Sequence, residues 1–194
     1  MQNGLILASN EKAGMGNGDQ DHTGAEAEKF VQSMASRAIT FLGDNDMSME
    51  QKKSRFRRLL QDSFDMNTIG RFSLGRYWRT STAAQQREYL SLFEDMIIDV
   101  YARRFSDYQG EGFETRGYRR DGRDTIVSSV IIPDRGSNVQ VDWRVRYNNG
   151  RYRVIDVIVE GVSMAVTQRS DFSSVIQRGG GNVEVLLSHL RDKS

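Results

Sequence analysis

The chain contains no cysteine. Disulfide frameworks, thiolate metal sites and cysteine nucleophiles are therefore excluded together. Histidine is nearly as scarce, with only His22 and His189. A zinc site would lack ligands. Neither histidine sits in a loop beside a candidate serine, so nothing supports a Ser-His-Asp arrangement. No DxDxDG calcium loop occurs. No apolar run approaches the roughly 20 residues needed to span a bilayer. The longest candidate, Met96-Ile-Ile-Asp-Val-Tyr101, is interrupted by Asp99. The opening Gly4-Leu-Ile-Leu-Ala-Ser9 lacks a basic flank and does not read as a signal peptide. The chain is expected to be either cytosolic or exported with a leader already removed.

The 194 residues suit one domain with a core of its own, at 38% hydrophobic and 27% charged. The net charge of +1 hides an uneven spread. Residues 1–50 carry 3 basic and 8 acidic groups, residues 51–79 carry 8 and 2, and residues 113–153 carry 9 and 5. Such basic zones can meet anionic partners, although a solvated helix side with local ion pairs produces the same pattern. Arginine far outnumbers lysine, which suits phosphate. The aromatics fall mostly on stripes expected to be buried, so nucleic acid is not expected as a partner.

Residues 1–24 are rich in Gly, Asn and Asp, show no periodicity and read as a disordered tail, leaving 25–194 as the domain. Phe30, Val31, Met34, Ala38, Ile39 and Leu42 are spaced as one face of a helix ending at Gly43. Ser48 and Gln51 form a capping box for a second helix, whose apolar side is Phe56, Leu59, Leu60 and Phe64. Met66 to Leu74 reads as one or two turns closed by Gly75. Thr82 and Gln85 give another capping box. The helix they open is expected to be the longest, running to about Tyr108, with a stripe from Leu90 and Phe93 to Tyr101, Phe105 and Tyr108.

The period then falls to two. Phe113 to Arg120, Thr125 to Ile132, Asn138 to Tyr147 and Arg151 to Glu160 read as four strands, separated by Asp121-Gly122, Arg135-Gly136 and Asn149-Gly150. On the third, Val139, Val141, Trp143, Val145 and Tyr147 share one face; Gln140, Asp142, Arg144 and Arg146 share the other. Short helices follow around Phe172, Val175 and Ile176, and from Val183 to Leu190. The expected class is α+β: a twisted antiparallel meander of four to five strands clasping a long central helix. Asp142 is expected to pair with arginines on its own face. Asp156, among Ile155, Val157 and Val159, is expected to be a structural hydrogen-bonding group, and it would be the base if the chain were a small isomerase-like enzyme.

Specific strings add a resemblance. Ile69-Gly-Arg-Phe-Ser-Leu-Gly-Arg-Tyr-Trp-Arg-Thr-Ser-Thr82, with Gln85-Gln-Arg-Glu-Tyr-Leu90, resembles the MlaC family, also called the toluene-tolerance auxiliary component of an ABC transporter. Tyr152-Arg-Val-Ile-Asp-Val-Ile-Val-Glu-Gly-Val-Ser-Met164 and Thr167-Gln-Arg-Ser-Asp-Phe172 resemble its later hallmarks, so the likeness runs from about Ala25 to Lys193. Where the family usually has proline at the start of the long helix, this chain has Ala83.

The resemblance implies a monomeric periplasmic carrier, not an enzyme and without a cofactor, holding phospholipid in an internal apolar cavity. It would pass lipid between an outer-membrane lipoprotein complex and an inner-membrane ABC transporter with an MCE-type subunit, helping to maintain outer-membrane asymmetry. A related branch implies hopanoids as alternative cargo. On that basis Val139, Val141, Trp143 and Val145 are expected to form the cavity wall. Tyr101, Phe105 and Val162 would face it, and Ile69 and Phe72 would stand at its mouth. Apart from the resemblance, Lys52, Lys53, Arg55, Arg57 and Arg58 form a basic patch that suits a docking face and equally suits a solvated helix side.

Overall fold

The computed structural model describes residues 17–105, 108 and 110–193. Seven helices and five strands occur among them: α1 (Asn17–Leu42), α2 (Met49–Ser63), α3 (Met66–Leu74), α4 (Tyr77–Thr80), α5 (Ala83–Ala102), β1 (Gly112–Asp121), β2 (Asp124–Ile132), β3 (Val139–Asn148), β4 (Arg151–Val159), β5 (Val162–Ser163), α6 (Met164–Arg178) and α7 (Val183–Arg191). The strands form one antiparallel sheet in chain order, the α+β meander expected. β5 is a short addition at its edge.

Local chemistry sets the boundaries. Both expected capping boxes are present, Ser48 with Gln51 at α2 and Thr82 with Gln85 at α5. They satisfy amides that a helix start leaves without partners. Asp65 caps α3 by accepting from the Thr68 amide, and Asn182 caps α7 by accepting from Glu184. Asn149 and Gly150 both take positive φ, 51° and 75°, as a two-residue hairpin of the Asn-Gly type requires. Glu160 and Gly161 repeat that geometry between β4 and β5.

Two extra residues curl the sheet. The β1–β2 register shifts between Thr115 and Tyr118, where Gly117 has φ 99°. On β4, Val154 pairs with Val145 and Asp156 with Arg144, leaving Ile155 as the unmatched residue. Each bulge sharpens the twist and resets the alternation beyond it.

Three expectations change. The first concerns the tail: its residues 1–16 lie outside the described residues, but α1 already begins at Asn17, eight residues inside it. Secondly, α5 ends at Ala102 and is shorter than α1, 20 residues against 26. Past Ala102 the chain turns, and Phe105 folds back onto Phe41 and Phe56. Thirdly, the helix lying on β1 and β2 is α1, not α5: Gln32 donates to Thr115 Oγ1, and the α1 residues Ala27, Val31 and Met34 share a core with Val127, Val145 and Val154. The first half of α5 instead centres a separate helical core, where Tyr89 and Phe93 pack with Phe172, Leu186, Leu187 and Leu190.

Candidate functional site

The register places Phe113, Ile131, Ser129, Val127, Val139, Val141, Trp143, Val145, Val159, Val157 and Val154 on one face of the sheet. None of these side chains is ionisable; the same register adds to this face Tyr118 opposite Val127, and Arg120 and Thr125 in line with Val145, with Arg120 donating to Thr125. Its polar atoms are spent internally: Trp143 Nε1 donates to Ser129 Oγ at 2.9 Å, and Ser129 Oγ donates to the Val141 carbonyl at 2.8 Å. The indole can therefore sit at an apolar surface without an unmet N–H. Trp143 meets Phe113 edge-on at 6.4 Å between centroids.

Burial along this face is uneven. Val127, Val145 and Val154 are sealed in the core shared with α1 and α2. Toward the other end Ile131, Val139, Trp143, Val157 and Val159 are only partly buried, and Val162 opposite Val159 is 53% exposed. An aromatic cluster belongs to the same body: Phe41 of α1 and Phe56 of α2 share the core containing Trp143 and Val145. Phe105 lies edge-on to both, at 6.4 and 5.2 Å, and Tyr101 is 6.1 Å from Phe56.

The structure thus unites most of the expected wall. Val139, Val141, Trp143 and Val145 share the face, and Phe105 and Tyr101 join it through Phe41 and Phe56. Val162 lies at its open end. Ile69 and Phe72 are placed elsewhere. Ile69 packs against the helical core, and Phe72 is exposed with the Arg169 guanidinium 5.2 Å from its ring centroid. Sequence reading missed Val157 as a partner of Trp143 because the bulge at Ile155 breaks the alternation that would have revealed it. Phe41 and Phe56 carried a signal in their helical spacing, but spacing does not say which helix meets the sheet.

The opposite face combines a polar network with apolar residues, among them the buried Ile126. Arg146 Nε donates to Asp124 Oδ1 at 2.7 Å, and Arg144 reaches both Asp124 and Asp121. Burial alone would raise the Asp124 carboxyl, but the forks of Arg146 and Arg144 outweigh it and hold the group below the usual carboxylate range. Asp142 is therefore not the ion-pair partner expected, since nearer carboxylates engage both arginines. Its Oδ1 is buried without a hydrogen-bond partner among the described residues. Asp156 is structural, as expected: Ser163 Oγ and the Ala165 amide both donate to it, fixing the start of α6.

The expected docking face on α2 is also changed. Arg57 pairs with Glu94 and Asp95, Lys53 with Asp99, and Lys52 donates to the Leu42 carbonyl. Much of that charge holds α2 against α5. Arg55 and Arg58 are exposed.

These features define an α+β protein organised around a partly open apolar sheet face rather than a cluster of reactive groups. A family model described as MlaC protein matches residues 32–192, and the chain belongs to that family. It is 23% identical over 152 residues to the toluene tolerance protein ttg2D of Pseudomonas putida, covering 74% of this chain and 71% of that one. It is 18% identical over 181 residues to the intermembrane phospholipid transport system binding protein MlaC of Haemophilus influenzae, covering 88% and 84%. A phospholipid-binding protein from Ralstonia solanacearum, solved in complex with a phospholipid, has the same fold: TM-score 0.75, 22% identity, 86% of this chain and 95% of that one. No helix among the described residues is long and apolar enough to cross a membrane.

Proposed function

We propose that this protein is a non-enzymatic periplasmic carrier that shelters the acyl chains of a phospholipid against the half-open sheet face. It would shuttle them between an outer-membrane lipoprotein complex and an inner-membrane ABC transporter complex. The observation that carries this reading is the run Val139, Trp143, Val157, Val159 and Val162, large and apolar yet incompletely covered. A solid core would bury these side chains, whereas hydrocarbon tails laid on them would complete the burial. Family membership and the phospholipid bound by the Ralstonia protein support the same reading.

The energetics need no chemistry. Each methylene kept from water is worth about 0.8 kcal/mol. A bilayer gives a tail nearly the same shelter, so transfer between membrane and carrier is close to neutral and docking partners set its direction. Native mass spectrometry of the purified protein, followed by lipid extraction, tests the proposal. One phosphate-bearing diacyl lipid per chain is expected. A homogeneous lipid-free protein that takes up none from vesicles would overturn the reading, and a phosphate-free terpenoid in the extract would move it to hopanoids.

A further inference from the structure

We propose that the corner formed by α3, α4 and the start of α6 is a docking surface for the phosphate headgroups of an anionic lipid bilayer. Its cations are Arg71, Arg76, Arg79 and Arg169, all exposed. Between Met66 and Gln86 the sequence contains no aspartate or glutamate. Among the described residues none of these four arginines makes an ion pair. On α2, by contrast, Lys53 and Arg57 are held by carboxylates of α5.

Geometry joins the four into one surface. Gly75 turns the chain with φ 61°, and a Cβ there would stand 2.9 Å from Arg169 Nε, so the α6 arginine lies directly against the α3–α4 turn. Arg76 and Arg79 line an open depression with Tyr77, Thr80 and Gly181. Three guanidiniums rest on rings: Arg71 over Trp78 at 5.2 Å, Arg76 over Tyr77 at 5.0 Å and Arg169 over Phe72 at 5.2 Å. A guanidinium lying on a ring is restrained in orientation while N–H groups stay open to a phosphate; Arg76 spends one of its own on the Tyr77 hydroxyl at 2.9 Å, which fixes it further. Phe72 keeps 42% of its surface exposed beneath its arginine. A bilayer surface matches both properties, with phosphates outermost and an apolar layer under them where aromatic rings settle. An acidic protein would have to supply an apolar patch for Phe72 beside its carboxylates, whereas any anionic bilayer carries both layers.

The proposal is independent of what the interior carries, and its test separates the two. The full chain is sedimented with vesicles of mixed phosphatidylglycerol and phosphatidylcholine, and with phosphatidylcholine alone. It should bind the anionic vesicles, and release from them as salt is raised. The pair R76A/R79A should weaken partitioning about thirty-fold, at ~1 kcal/mol per arginine near an anionic surface. R71A/R169A should do the same, and serves if the first pair disturbs folding by circular dichroism. R55A/R58A on α2 should bind like the parent. Equal binding to neutral vesicles, no loss in either pair, or a preference for polyglutamate over the anionic vesicles would each overturn the assignment. Native mass spectrometry of the same samples reads cargo separately: loss of bound lipid with vesicle binding intact would count against the carrier reading alone.

Discussion

The helical core around Tyr89 and the apolar face of the sheet are built from the same kinds of side chain, but they are finished differently. In the first, Tyr89, Phe93, Ile176, Leu186, Leu187 and Leu190 are all essentially inaccessible. Even the Tyr89 hydroxyl is spent on the Gly70 carbonyl at 2.9 Å, and burial pushes its pKa up so that the phenol stays neutral. The lack of a side chain at Gly70 makes room for Leu90, whose Cδ2 a Cβ there would meet at 2.7 Å. On the sheet, α1 closes one end while Val139, Val157, Val159 and Val162 are left incompletely covered. One region is packed for stability, and the other withholds its last layer of contacts. Between them the α2–α5 joint adds ion pairs, through Lys53, Arg57 and their acidic partners, to the Phe56–Tyr101 contact.

That contrast can be broken by substitution. Phe93→Ala should cost about 3–5 kcal/mol, because the cavity it leaves has no occupant; chemical denaturation measures it. Asp124→Asn should cost about 2–3 kcal/mol at neutral pH by depriving two arginines of their buried partner. The folded-state pKa of Asp124 is depressed, so its contribution is present above the ordinary aspartate range and is lost as pH falls through the folded value. The parent and the Asn variant should therefore converge in stability in acid.

Effects on the open face should be smaller in stability and larger in cargo. Val157→Ala should cost about 1 kcal/mol in lipid-free protein, less than an equal truncation in a sealed core. If it matches the loss per methyl measured in the helical core, the face is solid and the contrast fails. Val162→Asp should change stability by only about 0.5 kcal/mol, since the side chain is half exposed, yet it should abolish retained lipid by setting a charge against the tails. Denaturation and lipid extraction on one preparation check both halves of that statement.

Much of this architecture was legible in the sequence. The Asn149-Gly150 turn, the two capping boxes and the alternation from Val139 to Tyr147 report chemistry confined to a few neighbouring residues, and all appear where expected. The partner of each face was not legible. Phe105 reads as the continuation of a helical stripe, but its burial against Phe41 and Phe56 depends on a chain reversal that no local signal marks. Asp142 and Asp124 look alike as carboxylates beside arginines, and only the register across β2 and β3 gives both forks to Asp124. Ile69 and Phe72 fell in a recognisable motif, yet the fold sends one to the helical core and the other to the surface.

The unmatched Ile155 sets which side of β4 faces the wall. Counted from Val154 along a regular strand, Asp156 would fall on the apolar side and Val157 and Val159 on the other. The surplus residue absorbs that half-turn: Asp156 stays opposite Arg144, within reach of the Ser163 hydroxyl and the Ala165 amide, while Val157 and Val159 stay opposite Trp143 and Val141. Deleting Ile155 alone would therefore keep every facing pair and remove only the local bend, so this residue governs the curvature of the greasy wall and not its membership.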